Sequence, residues 1–260
     1  MGYNTRMVKL FEPETQFHLR IKKGDIGKFV LLCGDPGRVE KIAEHFDNAK
    51  FVVFNREYKI YTGYLNGVKV SAVSHGIGGP GAAICVEELI KCGAHTFIRI
   101  GTSGGMAEKV KAGDLCIASA AVRDDGTSAE YLPVSYPAAA DFDIMCALSD
   151  AAKKLKFRHH VGVVQSKDSF YGETNPETMA VAEYLKNRWK AEIRLNCLCS
   201  EMECAAIFAV ALTRNVRAGG VMLAIWNAED PDTNIVEDTS AAIKCAVEAL
   251  TMLIKNDKLN

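Results

Sequence analysis

Two arginines and a pair of closely spaced glutamates are the residues of this chain whose types and settings could do chemistry. Arg99 stands inside the apolar run Thr96-Phe97-Ile98-Arg99-Ile100, directly before the hydroxyl- and glycine-rich stretch Gly101-Thr102-Ser103-Gly104-Gly105. A buried guanidinium without a partner is costly, so Arg99 requires an anion, either a structural carboxylate or a bound phosphate. The hydroxyls of Thr102 and Ser103 could donate to that same anion. Arg38 closes a second turn, Gly34-Asp35-Pro36-Gly37-Arg38, between an apolar run ending at Cys33 and a helical period starting at Val39. Glycine lets the backbone approach an anion there, and the first amides of the next helix point outward at it. The same residues also suit an ordinary strand-to-helix turn. In a third turn, Ser74-His75-Gly76-Ile77-Gly78-Gly79-Pro80-Gly81, His75 reads better as a core histidine than as a catalytic one. Ser200-Glu201-Met202-Glu203 opens a helix, with Ser200 as its N-cap. Its acids suit the first turn through the helix dipole; if Glu201 lies just outside the helix, both carboxylates can converge on one polyol.

These turns need a rigid frame, and the chain supplies one by alternating short Val- and Ile-rich runs with stretches of helical period. The pattern predicts strands over Phe29–Cys33, Val68–Ser74, Thr96–Ile100, Asp114–Ala121, His160–Gln165 and Gly219–Ile225. Several are apolar on both faces and suit doubly covered central strands. Helices are expected over Val39–Phe46, Gly81–Cys92, Phe142–Leu155, Pro176–Trp189, Met202–Arg214 and Glu237–Lys255. In the last, Ala242, Ile243, Ala246, Val247, Leu250, Leu253 and Ile254 form one stripe for the core. The fold class is therefore α/β, and with no linker or repeat dividing it, residues 1–260 read as a single domain.

Composition narrows the partners. The 31 basic and 32 acidic residues nearly cancel, with no stripe of either sign, which argues against nucleic acid and anionic membranes. No targeting stretch is expected in Met1 to Phe17, and no run is long and apolar enough to span a bilayer, so a cytoplasmic protein with a small-molecule partner is expected. Cys197, Cys199 and Cys204 lack a second matching pair and a nearby histidine, and read as buried thiols; no metal is expected.

Taken in order, these motifs resemble the nucleoside phosphorylase family of uridine phosphorylases and hexameric purine nucleoside phosphorylases. The resemblance runs from Phe17-His18-Leu19 through the Arg38 turn, Asn55-Arg56-Glu57-Tyr58, Gly76-Ile77-Gly78-Gly79-Pro80, Glu87-Glu88-Leu89 and Arg99 to Gly105, to Glu201-Met202-Glu203. It implies a three-layer fold, a mixed sheet flanked by helices, and phosphorolysis of a nucleoside to free base and ribose 1-phosphate. No cofactor is implied beyond inorganic phosphate as co-substrate. By the same resemblance Gly34, Arg38, Arg99 and Thr102 bind phosphate, joined by Arg56 of a neighbouring subunit. Glu201, Met202 and Glu203 hold the ribose with His18 of the neighbour, and Phe170 packs on the base. A homo-oligomer with sites shared across a dimer interface follows.

Base recognition departs from the family pattern. After Phe170-Tyr171, uridine phosphorylases carry a Gln and an Arg that read uracil; this chain has Gly172-Glu173-Thr174-Asn175-Pro176-Glu177-Thr178. Purine enzymes use an Asp after the strand near Ile225, where Trp226-Asn227 stands, followed by Ala228, Glu229 and Asp230. Uridine is the expected substrate, with Arg99, Glu203 and Asn227 as the catalytic set. Glu173 or Glu177 would then accept from the pyrimidine N3–H, Thr178 donate to a carbonyl, and Trp226 stack on the base. A purine nucleoside phosphorylase, with Glu229 or Asp230 serving N7, is the alternative; a water-using nucleosidase and an inactive nucleoside- or phosphate-binding protein are two more.

Overall fold

The computed structural model describes residues 14–257; most of the N-terminal stretch read above for a targeting signal, up to residue 13, lies outside them. The first half contains β1 (Phe29–Cys33), α1 (Pro36–Ala43), β2 (Asp47–Asn55), β3 (Tyr58–Leu65), β4 (Val68–Ser74), α2 (Gly79–Lys91), β5 (Thr96–Gly105) and β6 (Leu115–Asp124). The second contains β7 (Ala138–Ala139), α3 (Phe142–Lys154), β8 (His159–Lys167), α4 (Phe170–Thr174), α5 (Ala182–Arg194), β9 (Cys199–Glu201), α6 (Cys204–Arg214), β10 (Arg217–Asn227) and α7 (Ser240–Asp257).

All strands join one mixed sheet. β1 lies parallel between β4 and β5, and β5 runs parallel to β10. β10 also pairs with β6, which leads through β8 and β9 back to β5, so five strands close into a ring. The apolar side chains pack in two layers. One places α2 and α6 against the sheet through Val86, Leu89, Ile207 and Phe208; the other places α1, α3 and α7 on the opposite face through Ile42, Leu148 and Leu250. Of the α7 stripe, Val247 alone stays partly exposed. Among the described residues no helix is long and apolar enough to cross a membrane.

Several expectations are corrected by tertiary context. The stretch Gly101 to Gly105 is not a turn but the second half of β5, paired with Met222 to Asn227 of β10 and with Cys199 and Ser200 of β9. Glycine suits it because ring closure crowds it: a Cβ at Gly105 would sit 3.1 Å from the Asn227 side chain. The helix expected over Pro176–Trp189 starts and ends later: Pro176–Thr178 form only a short turn, α5 runs Ala182–Arg194, and the unexpected α4 precedes Pro176. Pro176 has no amide to donate and pushes Asn175 out of helical geometry, to φ −145° and ψ 58°. The β2–β3 hairpin went unpredicted because β2 is an exposed strand at the sheet's end without a clean alternation. Arg56, at its tip, takes the left-handed conformation with φ 56°.

Candidate functional site

In an open sheet the carboxyl ends of parallel strands are where loops and helix starts converge. Here the ends of β1, β4, β5, β8, β9 and β10 surround a cavity of about 670 Å³. Gly34 enters it from the β1–α1 turn, Arg38 from the first turn of α1, Arg99 and Thr102 from β5, Glu201 from the end of β9, and Met202 and Glu203 from the connection into α6. Phe170 and Glu173 of α4 and Trp226 of β10 line it as well.

Arg99 is 3% exposed, and strand alternation explains where it points. It shares a face with Phe97, on the side covered by α2 and α6, so its guanidinium meets the start of α6. Its Nε donates to Glu201 Oε2 at 3.0 Å, one terminal nitrogen donates to Glu203 Oε2, and the other lies 3.2 Å from His75 Nε2. Burial works against the Arg99 charge, but the carboxylates of Glu203 and Glu201 outweigh it and raise its pKa above the ordinary guanidinium range. Gly101 makes room for this side chain, since a Cβ there would lie 2.9 Å from an Arg99 terminal nitrogen. Of the two anions open to Arg99, the fold supplies the carboxylates, and the residue also lines the cavity.

The two glutamates do different things. Glu201 accepts from the backbone amides of Glu203 and Cys204, at 2.9 and 3.0 Å, and from the Ser166 hydroxyl. From the end of β9 it therefore takes up the first amide of α6, whose N-cap position is Glu203 and not the expected Ser200. With its oxygens so engaged and 3% exposed, Glu201 converges with Glu203 on Arg99 rather than on a polyol. Glu203 Oε1 accepts the Gly78 amide at 2.7 Å, which ties the His75–Gly81 turn to α6. His75 is fully buried; burial first and the Arg99 charge second push its pKa down to about 3, so it stays neutral. Its Nδ1 has no hydrogen-bond partner among the described residues.

Arg38 donates to the Ile100 carbonyl at 3.1 Å, and Asp35 caps α1 by accepting the Gly37 amide at 2.8 Å. Burial and, more weakly, the neighbouring Arg99 charge lower the Arg38 pKa. An anion placed by both arginines would offset both effects.

Other expected residues are not in the cavity lining. Asn227 spends Nδ2 on the carbonyls of Ala107 and Val110, at 2.9 and 2.7 Å, and accepts the Glu229 amide at Oδ1, so it holds backbone together instead of facing a substrate. Thr178 donates to the Asn175 carbonyl within the Pro176 turn, and Glu177 pairs with Lys186. Glu229 accepts from Trp189 Nε1, and Asp230 pairs with Lys111. His18 is fixed by Glu88, 2.7 Å from Nδ1, while Glu88 also accepts the amides of His18 and Leu19. His18 and Arg56 both stand apart from this chain's own cavity lining. Cys197, Cys199 and Cys204 are buried, and burial raises their thiol pKa values, which suits structural thiols.

Sequence reading missed Lys167 and Ser200, both in the lining. No local signal marked Lys167, which follows Gln165 and Ser166 at the polar end of β8. Behind Lys167 and Ser200, Gln165 accepts from Ser200 at 2.7 Å and donates to Asp124 and Glu192 at 2.8 and 2.6 Å. Burial, followed by the Asp124 carboxylate, pushes Glu192 from 4.5 up to about 8. The folded chain therefore holds a proton that the unfolded chain has released, and stability falls as pH rises through that window. Glu192→Gln is expected to be more stable than the parent at pH 8, by on the order of 1–2 kcal/mol, with the difference vanishing near pH 4.5; thermal unfolding at both pH values measures it.

Residues 28–256 match the family model described as the phosphorylase superfamily. The chain is 49% identical to a uridine phosphorylase of Treponema pallidum, over 96% of this chain and 99% of that protein. It is 39% identical to a uridine phosphorylase of Thermococcus kodakarensis, over 97% and 93%, and 36% identical to a guanosine phosphorylase of Halorubrum lacusprofundi, over 92% and 99%.

Proposed function

The chain belongs to the phosphorylase superfamily, and from that premise we propose that it cleaves uridine with inorganic phosphate, giving uracil and ribose 1-phosphate. The observation that carries this reading is the meeting of Arg38 and Arg99 with Met202 and Glu203 around one cavity. Phosphate sits between the two guanidiniums, with Thr102 and the Gly34 turn as further donors. Met202 and Glu203 hold the ribose, Glu203 by accepting from its hydroxyls. A phosphate oxygen attacks C1′ as the C1′–N1 bond breaks, the bond's electron pair leaves on the base, and the base takes up the proton that the hydrogen phosphate gives up. No protein nucleophile takes part; the protein positions the anion and stabilises the ribosyl cation by fixed charges. The paired acids do not serve as in glycosidases, because Glu201 is spent on α6 and Arg99.

Charge supports sharing of the site between subunits. The cavity is lined by three basic and four acidic side chains, so an entering phosphate dianion needs a further cation. Arg56 of the partner subunit supplies it, and His18 of the partner subunit closes the ribose end, with the exposed rings of Phe17 and Phe54 beside them as apolar interface.

Uracil release from uridine, measured with and without phosphate beside inosine and guanosine, tests the reaction. Phosphate-dependent release of uracil is expected; release from purine nucleosides alone, or release independent of phosphate, overturns it. The guanosine phosphorylase relative makes the purine arm necessary. For the sharing, Arg56→Gln is expected to raise the phosphate KM by about tenfold or more. Co-expressed with Glu203→Gln, it should regain activity, since each mixed pair then holds one intact site. No recovery in a demonstrated mixed oligomer would place Arg56 outside the neighbour's site.

A further inference from the structure

Lys167, at the end of β8, is 4% exposed, yet it lines the substrate cavity together with Glu173 of α4 and Ser200 of β9. Its Nζ donates to Glu173 Oε2 at 2.8 Å and to Ser200 Oγ at 2.6 Å. Ser200 Oγ also lies within hydrogen-bond reach of the same Glu173 oxygen, so its single proton goes either there or to Gln165 Oε1. An ammonium carries three N–H donors and a carboxylate two accepting oxygens. Among the described residues one Lys167 N–H and Glu173 Oε1 are therefore unspent, on two side chains that are already paired, and Phe170 and Trp226, whose ring faces suit a planar base, line the same cavity. A buried ion pair by itself is weak support for a fold, because desolvation offsets the attraction.

We infer that Lys167 and Glu173 together read the base, Lys167 donating to a ring carbonyl while Glu173 accepts from the adjacent ring N–H. The inference rests on the phosphorolysis reading. It replaces the missing Gln and Arg by a donor–acceptor pair whose complement is the C(=O)–N–H edge of a base. Uracil, thymine and the 6-oxopurines present that edge. Cytosine and adenine reverse it: their amino group meets the ammonium, and their bare ring nitrogen meets the carboxylate, so two buried partners are left unpaired. As the glycosidic bond breaks, charge grows on the carbonyl, and the Lys167 contact strengthens. Lys167 therefore acts on kcat as well as on selectivity.

The experiment compares kcat/KM for uridine and cytidine, and for inosine and adenosine, with and without phosphate, in the parent chain and in three variants. These are Lys167→Gln, Glu173→Gln and the double variant, which removes both charges together and so leaves no unpaired buried ion. The parent is expected to prefer the oxo base over its amino counterpart by at least about 100-fold. Each folded variant is expected to shrink that ratio at least about tenfold, mainly by losing kcat on the oxo base, with the phosphate KM unchanged. A ratio that stays intact in the folded double variant, or activity lost equally on all bases, overturns the inference. Failure of the phosphorolysis reading shows separately, as absence of phosphate dependence in the parent. If the parent cleaves only purine nucleosides, the inosine-to-adenosine ratio carries the same decision.

Discussion

Arg99→Ala is expected to cut phosphorolysis by at least about 1,000-fold and to destabilise the chain by about 3–5 kcal/mol. Both effects come from one geometry. The guanidinium partners Glu201 and Glu203, 3 and 4% exposed, and truncating it strands two buried carboxylates. The same truncation removes a preorganised charge from the place where phosphate lies. Arg99→Lys separates the effects, because it keeps the charge but lacks the planar fork that reaches two carboxylates and an anion at once. It is expected to fold, to lose about 100-fold in kcat/KM and to raise the phosphate KM. Steady-state rates across phosphate concentrations, read beside thermal unfolding curves, check both variants. Ordinary phosphate saturation in a folded Arg99→Lys chain would remove Arg99 from the phosphate site and leave it a structural ion.

Glu203→Gln should lower kcat/KM for the nucleoside by about 100- to 1,000-fold while phosphate still binds. An amide can keep accepting the Gly78 amide through its oxygen, so the turn stays tied. The amide nitrogen, however, then faces the Arg99 guanidinium, donor against donor, and the negative charge nearest the ribose is gone. Kinetics in nucleoside and in phosphate, together with the thermal shift on adding phosphate alone, divide the two substrates. A parental rate would reduce Glu203 to a tie between α6 and the Gly78 turn. Glu201→Gln serves as the contrast, since its cost should fall on stability through weakened bonds to Arg99 and to the amides that lead into α6 rather than on either KM.

Much of the frame was legible in the sequence because burial on both faces writes a strong signal. The five apolar residues of β1 are all buried, and Arg99 stood out against such a run as a charge in need of an anion. The β2–β3 hairpin was illegible for the opposite reason: an exposed end strand has little apolar pattern to read. Pro176 suited the first turn of the expected helix, but the backbone is extended at Met179, with φ −93° and ψ 142°, so α5 begins only at Ala182. Gly101 to Gly105 reads as a turn by composition and becomes strand only because β9 and β10 flank it.

The same division runs through the candidate site. Residue types and order determined the α/β class, the two cavity arginines, and Glu203 at the opening of a helix. Which carboxylates Arg99 meets was decided by strand alternation and the placement of α6 over that face of β5, a relation across about a hundred residues that no local pattern encodes. Tertiary structure also moved Asn227 from the reaction to the backbone and gave the first amide of α6 to Glu201. It brought Lys167, Glu173 and Ser200 together from three separate elements. A side chain's chemistry belongs to its type, but its task depends on which donors and acceptors remain unspent once the chain has packed, and only the fold sets that balance.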